Sequence, residues 1–194
     1  MIYFVRHGET DSNVNKTYAG QKDVPLNSRG LIQAKVLAKQ LENTHFDVCY
    51  CSPLMRARQT CDEILKLRDG LKVYYDNRLK ERFYGDLQGK SKMNLPYNLW
   101  KVGDDQKGLA EFNIEPVMQI YNRVVNFYDE ILKDQKDKNI LVVAHSGIGR
   151  ITESYFNGVP KDYDFSKIHF PNAEVVIFDE EKVKTKSKKQ EFSF

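Results

Sequence analysis

The chain has 194 residues, 41% of them hydrophobic, 12% aromatic and 29% charged, which is enough apolar material for one globular core. A net charge of +3, with no basic stripe carrying interleaved aromatics, excludes a nucleic-acid-binding surface. No apolar run approaches the length of a membrane span, and the start has neither a basic n-region nor a small-residue cleavage pattern. Three cysteines, Cys49, Cys51 and Cys61, without a second C-x-x-C or paired histidines, read as core thiols in a reducing, cytoplasmic setting.

The first apolar run, Ile2 to Val5, predicts a buried strand that stops at Arg6-His7-Gly8. After a polar loop, Asn27 or Ser28 caps a helix running to about Glu42, with Leu31, Ala34, Leu37, Ala38 and Leu41 inward. Phe46 to Cys51 predicts a second strand. Ser52-Pro53 then opens a helix with Leu54, Ala57, Cys61, Ile64 and Leu65 along one stripe. Lys72 to Tyr75 predicts a third strand. Residues 76–112 are rich in Gly, Asn, Asp and Lys and read as a cap-like excursion, with a short helix near Leu95 to Val102. A long helix follows, from about Glu115 to Asp134.

Ile140 to Ala144 is apolar throughout, as at a sheet centre, and ends in His145-Ser146-Gly147 before a helix to about Asn157. Glu174 to Phe178 and about Val183 to Lys186 predict a last hairpin, turned at Asp179 to Glu181. The lysines from Lys182 to Lys189 read as a solvated strand edge. Helix and strand alternate, which predicts one α/β domain over residues 1–194. Its expected form is a three-layer sandwich: a mostly parallel sheet, helices on both faces, and an antiparallel last strand pair.

Ligands bind outside the carboxyl ends of strands in such sheets. Four predicted strand ends then crowd one rim, bringing His7, His145, Arg6, Arg56 and Glu81 together. A histidine at a strand end is placed to do chemistry, and an arginine beside it is placed to hold an anion.

With these residues in place, the sequence resembles the histidine phosphatase superfamily, the phosphoglycerate mutase-like family. R-H-G-E-T matches Arg6 to Thr10, and G-x-x-D-x-P-L with R-G matches Gly20 to Leu26 and Arg29-Gly30. S-P-L-x-R-A-x-x-T matches Ser52 to Thr60, E-R-x-Y-G-x-L-x-G matches Glu81 to Gly89, and H-x-G matches His145 to Gly147. The resemblance implies that His7 is the nucleophile, kept neutral by Arg6 and Arg56, which also bind phosphoryl oxygens. It implies that His145 stabilises the transferring group as an imidazolium and that Glu81 is the proton donor. Asn13, Gly20, Gln21, Tyr84 and Ser146 are the implied substrate- and phosphate-binding residues. No metal or other cofactor is implied. The partner is a small phosphorylated metabolite, and the chain a monomer or homodimer.

Within the family, E-R-F-Y-G leans toward mutases, but residues 90–112 carry lysines (Lys90, Lys92, Lys101, Lys107) and no arginine pair. A short polar excursion excludes water poorly, which favours hydrolysis over phosphoryl transfer between hydroxyls. The expectation is therefore a phosphomonoesterase, similar to α-ribazole phosphatases or to broad-specificity ones. Phosphoglycerate mutase and a non-catalytic phospholigand-binding relative are the alternatives. Arg58, Arg68 and Arg78 read as surface arginines.

Overall fold

The apolar runs pair into one five-stranded sheet in the computed structural model, which describes residues 1–179 and 183. In chain order the elements are β1 (Ile2–Arg6), α1 (Asp11–Val14), α2 (Ser28–Leu41), β2 (Val48–Cys51), α3 (Met55–Leu65) and β3 (Val73–Tyr75). Then come α4 (Asp105–Phe112), α5 (Val117–Asp134), β4 (Ile140–Ala144), α6 (Ser146–Asn157) and β5 (Val175–Phe178). The strand order is β3-β2-β4-β1-β5. The first four strands by sequence run parallel, and β5 pairs antiparallel with β1. The mostly parallel sheet with an antiparallel last strand is the expected fold class.

Every residue of β4 is buried, as its uninterrupted apolar run requires. Alternation divides the core into two faces. Ile140, Val142 and Ala144 pack with α5 and α6, while Leu141 and Val143 pack with α2 and α3. Register then sets the rim. Arg6 lies beside Ala144, and the His7 N–H donates to the Ala144 carbonyl at 3.0 Å. The next residue on each strand is therefore His7 on one and His145 on the other.

Asn27 caps α2, its side chain accepting from the Gly30 N–H at 2.8 Å. Leu31 is only half-buried; Gly30 takes the inward place because a Cβ there would meet the Glu9 carbonyl oxygen at 2.0 Å. The α3 stripe also differs from expectation. It buries Arg56 and Thr60 alongside Ala57, Cys61 and Ile64, so one face of this helix serves both core and rim. Cys49, Cys51 and Cys61 are free and buried.

Within residues 76–112, Leu87 and Leu99 pack with Tyr18 and Ile114 into a small separate core. No helix forms near Leu95 to Val102; the helix of this segment is α4, ten residues later. Asn98 explains the shift. Its Oδ1 accepts from the Trp100 N–H at 2.9 Å, a local bond that competes with a helical turn. Asp105, buried, instead anchors α4 by accepting from the N–H groups of Gly103 and Val117. Val183 packs on the α5–α6 side. The rest of the expected second hairpin strand and the lysine run lie outside the described residues. Among the described residues no helix is long and apolar enough to cross a membrane.

Leu141 is fully buried at the sheet centre, whereas Ile32 on α2 is 62% exposed. Leu141→Ala should cost about 2–5 kcal/mol in urea unfolding and Ile32→Ala under about 0.5 kcal/mol. Equal losses would place the core elsewhere.

Candidate active site

His7 is the first residue past β1 and is 4% exposed. Its Nδ1 lies 2.6 Å from the Gly8 carbonyl oxygen, and its Nε2 lies 3.2 Å from Arg56 Nε. A guanidinium only donates, so Nε2 must accept and Nδ1 must carry the proton. The ring is thus held as one tautomer with a lone pair on Nε2. Burial first, then the charges of Arg56 and Arg6, push its pKa well below the ordinary 6.5.

Arg56 reaches this point from the first turn of α3. Its Nη1 donates to the Lys22 carbonyl at 2.9 Å and its Nη2 to the Gly20 carbonyl at 2.7 Å. The loop after β1 and the start of α3 are locked together by this one side chain. Burial pushes the Arg56 pKa down to about 10, with Glu81 and Asp23 opposing, so it remains a cation at neutral pH. Arg6 donates to the Phe170 carbonyl, while its buried Nε has no partner. Asn13, which lines the cavity, is oriented by a capping box in which its Oδ1 accepts from the Thr10 N–H at 3.0 Å.

His145 caps α6 and is fully buried behind His7, with ring centroids 5.1 Å apart. Its Nε2 bonds the Ser52 hydroxyl at 2.7 Å, and its Nδ1 has no partner. Burial leads again, joined by Arg56, His7, Arg123 and Arg6, in pushing this pKa well below 6.5. On the protein's own charges the neutral ring is therefore favoured over the expected imidazolium. A phosphoryl dianion beside it acts in the opposite direction.

Glu81 accepts from two backbone N–H groups, Arg82 at 2.8 Å and Gly147 at 3.1 Å. A Cβ on Gly147 would meet Glu81 Oε1 at 2.1 Å and Trp100 at 2.8 Å, so only glycine lets the carboxylate approach α6. Trp100 donates from its indole N–H to the Tyr84 hydroxyl at 3.0 Å. These groups surround a cavity of about 970 Å³ between the rim and residues 92–100.

Comparison with known proteins gives this arrangement a lineage. The sequence profile of the histidine phosphatase superfamily (branch 1) matches residues 2–191. The chain belongs to this superfamily. It is 31% identical over 167 residues to the adenosylcobalamin/alpha-ribazole phosphatase of Escherichia coli, covering 83% of this chain and 81% of that one. It is 28% identical over 231 aligned positions to the 2,3-bisphosphoglycerate-dependent phosphoglycerate mutase of Methanosarcina acetivorans, covering 91% and 90%. The crystal structure of the Shigella flexneri alpha-ribazole phosphatase superposes with a TM-score of 0.75 at 26% identity, covering 90% and 87%.

In this member of the histidine phosphatase superfamily, Arg6, His7, Asn13, Gly20, Arg56, Glu81, Tyr84 and Ser146 all line the cavity. His145 does not line it but is fully buried against the His7 ring. Gln21 does not line it; its side-chain amide donates to the Glu81 carbonyl at 3.0 Å and so supports the loop that carries Glu81. Arg58, Arg68 and Arg78 lie elsewhere. Four contributors went unassigned in the sequence. Ser52 is the first residue past β2, its N–H donating to the Val143 carbonyl at 2.9 Å, where strand register puts it within reach of His145. Asn172 donates to the His7 carbonyl at 2.9 Å. Lys92 and Arg150 face the cavity from the excursion and from α6.

Unfolded imidazoles take up protons near pH 6.5, whereas His7 and His145 in the folded protein resist doing so. Below that pH the unfolded chain binds protons that the native state refuses, so the stability present above it is lost on acidification. Urea unfolding should therefore show falling stability from about pH 7 to about pH 5.5, less steep in His145→Gln. By NMR both rings should keep neutral-imidazole shifts down to about pH 5.5. Either ring turning near its ordinary pKa would contradict the burial argument.

Proposed function

We propose that this protein is a phosphomonoesterase that passes the phosphoryl group of a small phosphorylated metabolite through a phosphohistidine at His7 to water. The observation that carries the reading is the His7 ring itself. It is buried, uncharged and tautomerically fixed, with its Nε2 lone pair against a guanidinium at the cavity floor. A nucleophile needs that lone pair, and a phosphoryl dianion needs those cations.

In the first step Nε2 attacks phosphorus, the P–N bond forms and the ester P–O bond breaks. The leaving oxygen takes a proton from the Glu81 carboxyl. In the second step Glu81 accepts a proton from water, the water oxygen attacks phosphorus, and the P–N bond breaks to release inorganic phosphate. Arg6 and Arg56 supply positive charge to the equatorial oxygens, and Asn13 Nδ2 and the α6 N-terminus at Ser146 supply N–H donors. The partnerless Nδ1 of His145 supports a role in binding one of those oxygens. Likeness to the α-ribazole phosphatases supports hydrolysis of a phosphorylated small molecule. Likeness to the mutase supports a second reading, return of the phosphoryl group to another hydroxyl; release of free phosphate separates the two. We also propose a cytoplasmic setting, supported by three free buried thiols.

Hydrolysis of p-nitrophenyl phosphate is the direct assay. His7→Ala should abolish turnover. Arg56→Ala should lose on the order of 3 kcal/mol of transition-state stabilisation, roughly a hundredfold or more in kcat/KM. Among the described residues no three His, Cys, Asp or Glu side chains cluster as metal ligands do, and activity should withstand EDTA. No turnover of any phosphoester alongside retained phosphate binding would instead mark a binding protein.

A further inference from the structure

Behind the rim lies a group of nucleophiles that the reaction does not use. Cys49 and Cys51 stand two apart on β2, so they point to the same face of the sheet, and α3 lays Cys61 against that face. All three thiols are fully buried and free. The sulfurs of Cys49 and Cys61, twelve residues apart in the chain, are 3.5 Å from each other. The Cys51 thiol is engaged elsewhere, donating to the Ser52 carbonyl at 3.3 Å.

Two of these cysteines adjoin residues that hold the site. Cys51 precedes Ser52, whose hydroxyl bonds His145 Nε2 at 2.7 Å. Cys61 follows Thr60, whose hydroxyl oxygen accepts from the Gly8 N–H at 3.1 Å and donates to the Arg56 carbonyl at 2.9 Å. The Gly8 carbonyl in turn fixes the His7 tautomer. Arg56 itself stands five residues before Cys61 on the same helix, about 7.5 Å along its axis. The spacing between β2 and α3 therefore reaches both histidines through single hydrogen bonds. A covalent S–S bond is about 2 Å long, shorter than the thiol contact. Forming it draws α3 toward β2, and Arg56 and Thr60 travel with the helix.

Cys61 is the sulfur suited to react first. Hydrogen bonding from Cys49 is the first cause lowering the Cys61 pKa, and the same contact pushes Cys49 well above its ordinary value. Hydrogen peroxide, close to water in size, reaches buried sulfur through local openings of the fold. The Cys61 sulfur attacks one peroxide oxygen, the O–O bond breaks, and water leaves with the thiol proton, giving a sulfenic acid. The Cys49 sulfur then attacks the Cys61 sulfur. The S–S bond forms, the S–O bond breaks, and a second water carries off the Cys49 proton. Two electrons pass from the pair of sulfurs to the peroxide.

We infer that Cys49 and Cys61 are a redox modification site, closing under peroxide to a reversible disulfide that displaces Arg56 and Thr60 and switches the active site off. The inference rests on the phosphatase reading above. Small-molecule thiols reopen the bond by exchange, so three free thiols are the resting, active state.

Reduced wild-type protein treated with hydrogen peroxide in native buffer tests this. One portion is assayed with p-nitrophenyl phosphate; the other is alkylated and digested, and its disulfides are mapped by mass spectrometry. Turnover should fall about tenfold or more with Cys49 joined to Cys61, and dithiothreitol should restore it. Cys49→Ala and Cys61→Ala should each keep their turnover through the same treatment, whereas Cys51→Ala should lose it as the wild type does. The ratio of treated to untreated activity is independent of the fraction of a variant that folds. Three free thiols persisting in the treated wild type, a mapped disulfide with turnover unchanged, or equal loss in Cys61→Ala overturns the switch and leaves the phosphatase standing. No turnover before treatment overturns the phosphatase reading and the switch with it.

Discussion

Everything at the rim depends on an imidazole kept uncharged beside guanidinium groups. The Gly8 carbonyl holds the Nδ1 proton, and the Arg56 Nε–H donates to the Nε2 lone pair. Burial is the first cause of the lowered pKa and the arginine charges add to it, while the carbonyl fixes the tautomer. Arg56 is held by the carbonyls of Gly20 and Lys22, so the loop after β1 stabilises the residue that lies against His7.

The sheet converts this local arrangement into a two-histidine site. In parallel pairing, register fixes which residues leave adjacent strands side by side. Arg6 opposite Ala144 places His7 against His145, and Cys51 opposite Val143 places Ser52 within reach of the same ring. Close backbone contacts then remove slack. A Cβ at Gly8 would meet the Gly30 carbonyl oxygen at 2.5 Å, and one at Gly30 the Glu9 oxygen at 2.0 Å, so the β1 loop and the start of α2 pack main chain to main chain. Substitution at either position moves the loop that follows His7.

How much of this the sequence showed follows from the range of the interactions. The fully apolar run of β4 and the His-Ser-Gly that ends it were readable because burial and a helix start both leave local marks. The five ordered motifs located Arg6, His7, Arg56, Glu81 and His145, all of which the fold gathers at one cavity or against the His7 ring that lines it. The excursion was harder. Leu95, Leu99 and Val102 fit a helical stripe, yet Asn98 bonds the Trp100 N–H and the helix forms later, at Asp105. Gln21 looked like a cavity residue and instead supports the Glu81 loop. Arg150 was silent, because an arginine on a helix carries no mark of the tryptophan it will meet from a segment 50 residues away. Lys92 was one of four lysines, distinguished only by the bond from its N–H to the Lys16 carbonyl.

Charge ties these pieces together. Burying cations costs desolvation, and the lowered pKa values of Arg6, Arg56, Arg82 and Arg150 all have burial as their first cause. The fold tolerates this by distributing the guanidinium hydrogens among backbone carbonyls and the Trp100 and Tyr84 rings, partners that bring partial negative charge, with a carboxylate, Asp105, 4.0 Å from Arg82 only. Carboxylates in those places would stabilise the protein more and quench the site. Neutral histidines follow from the same condition, since adding protons to His7 and His145 would raise a surplus that the protein itself does not balance. A doubly negative group at His7 would balance that surplus.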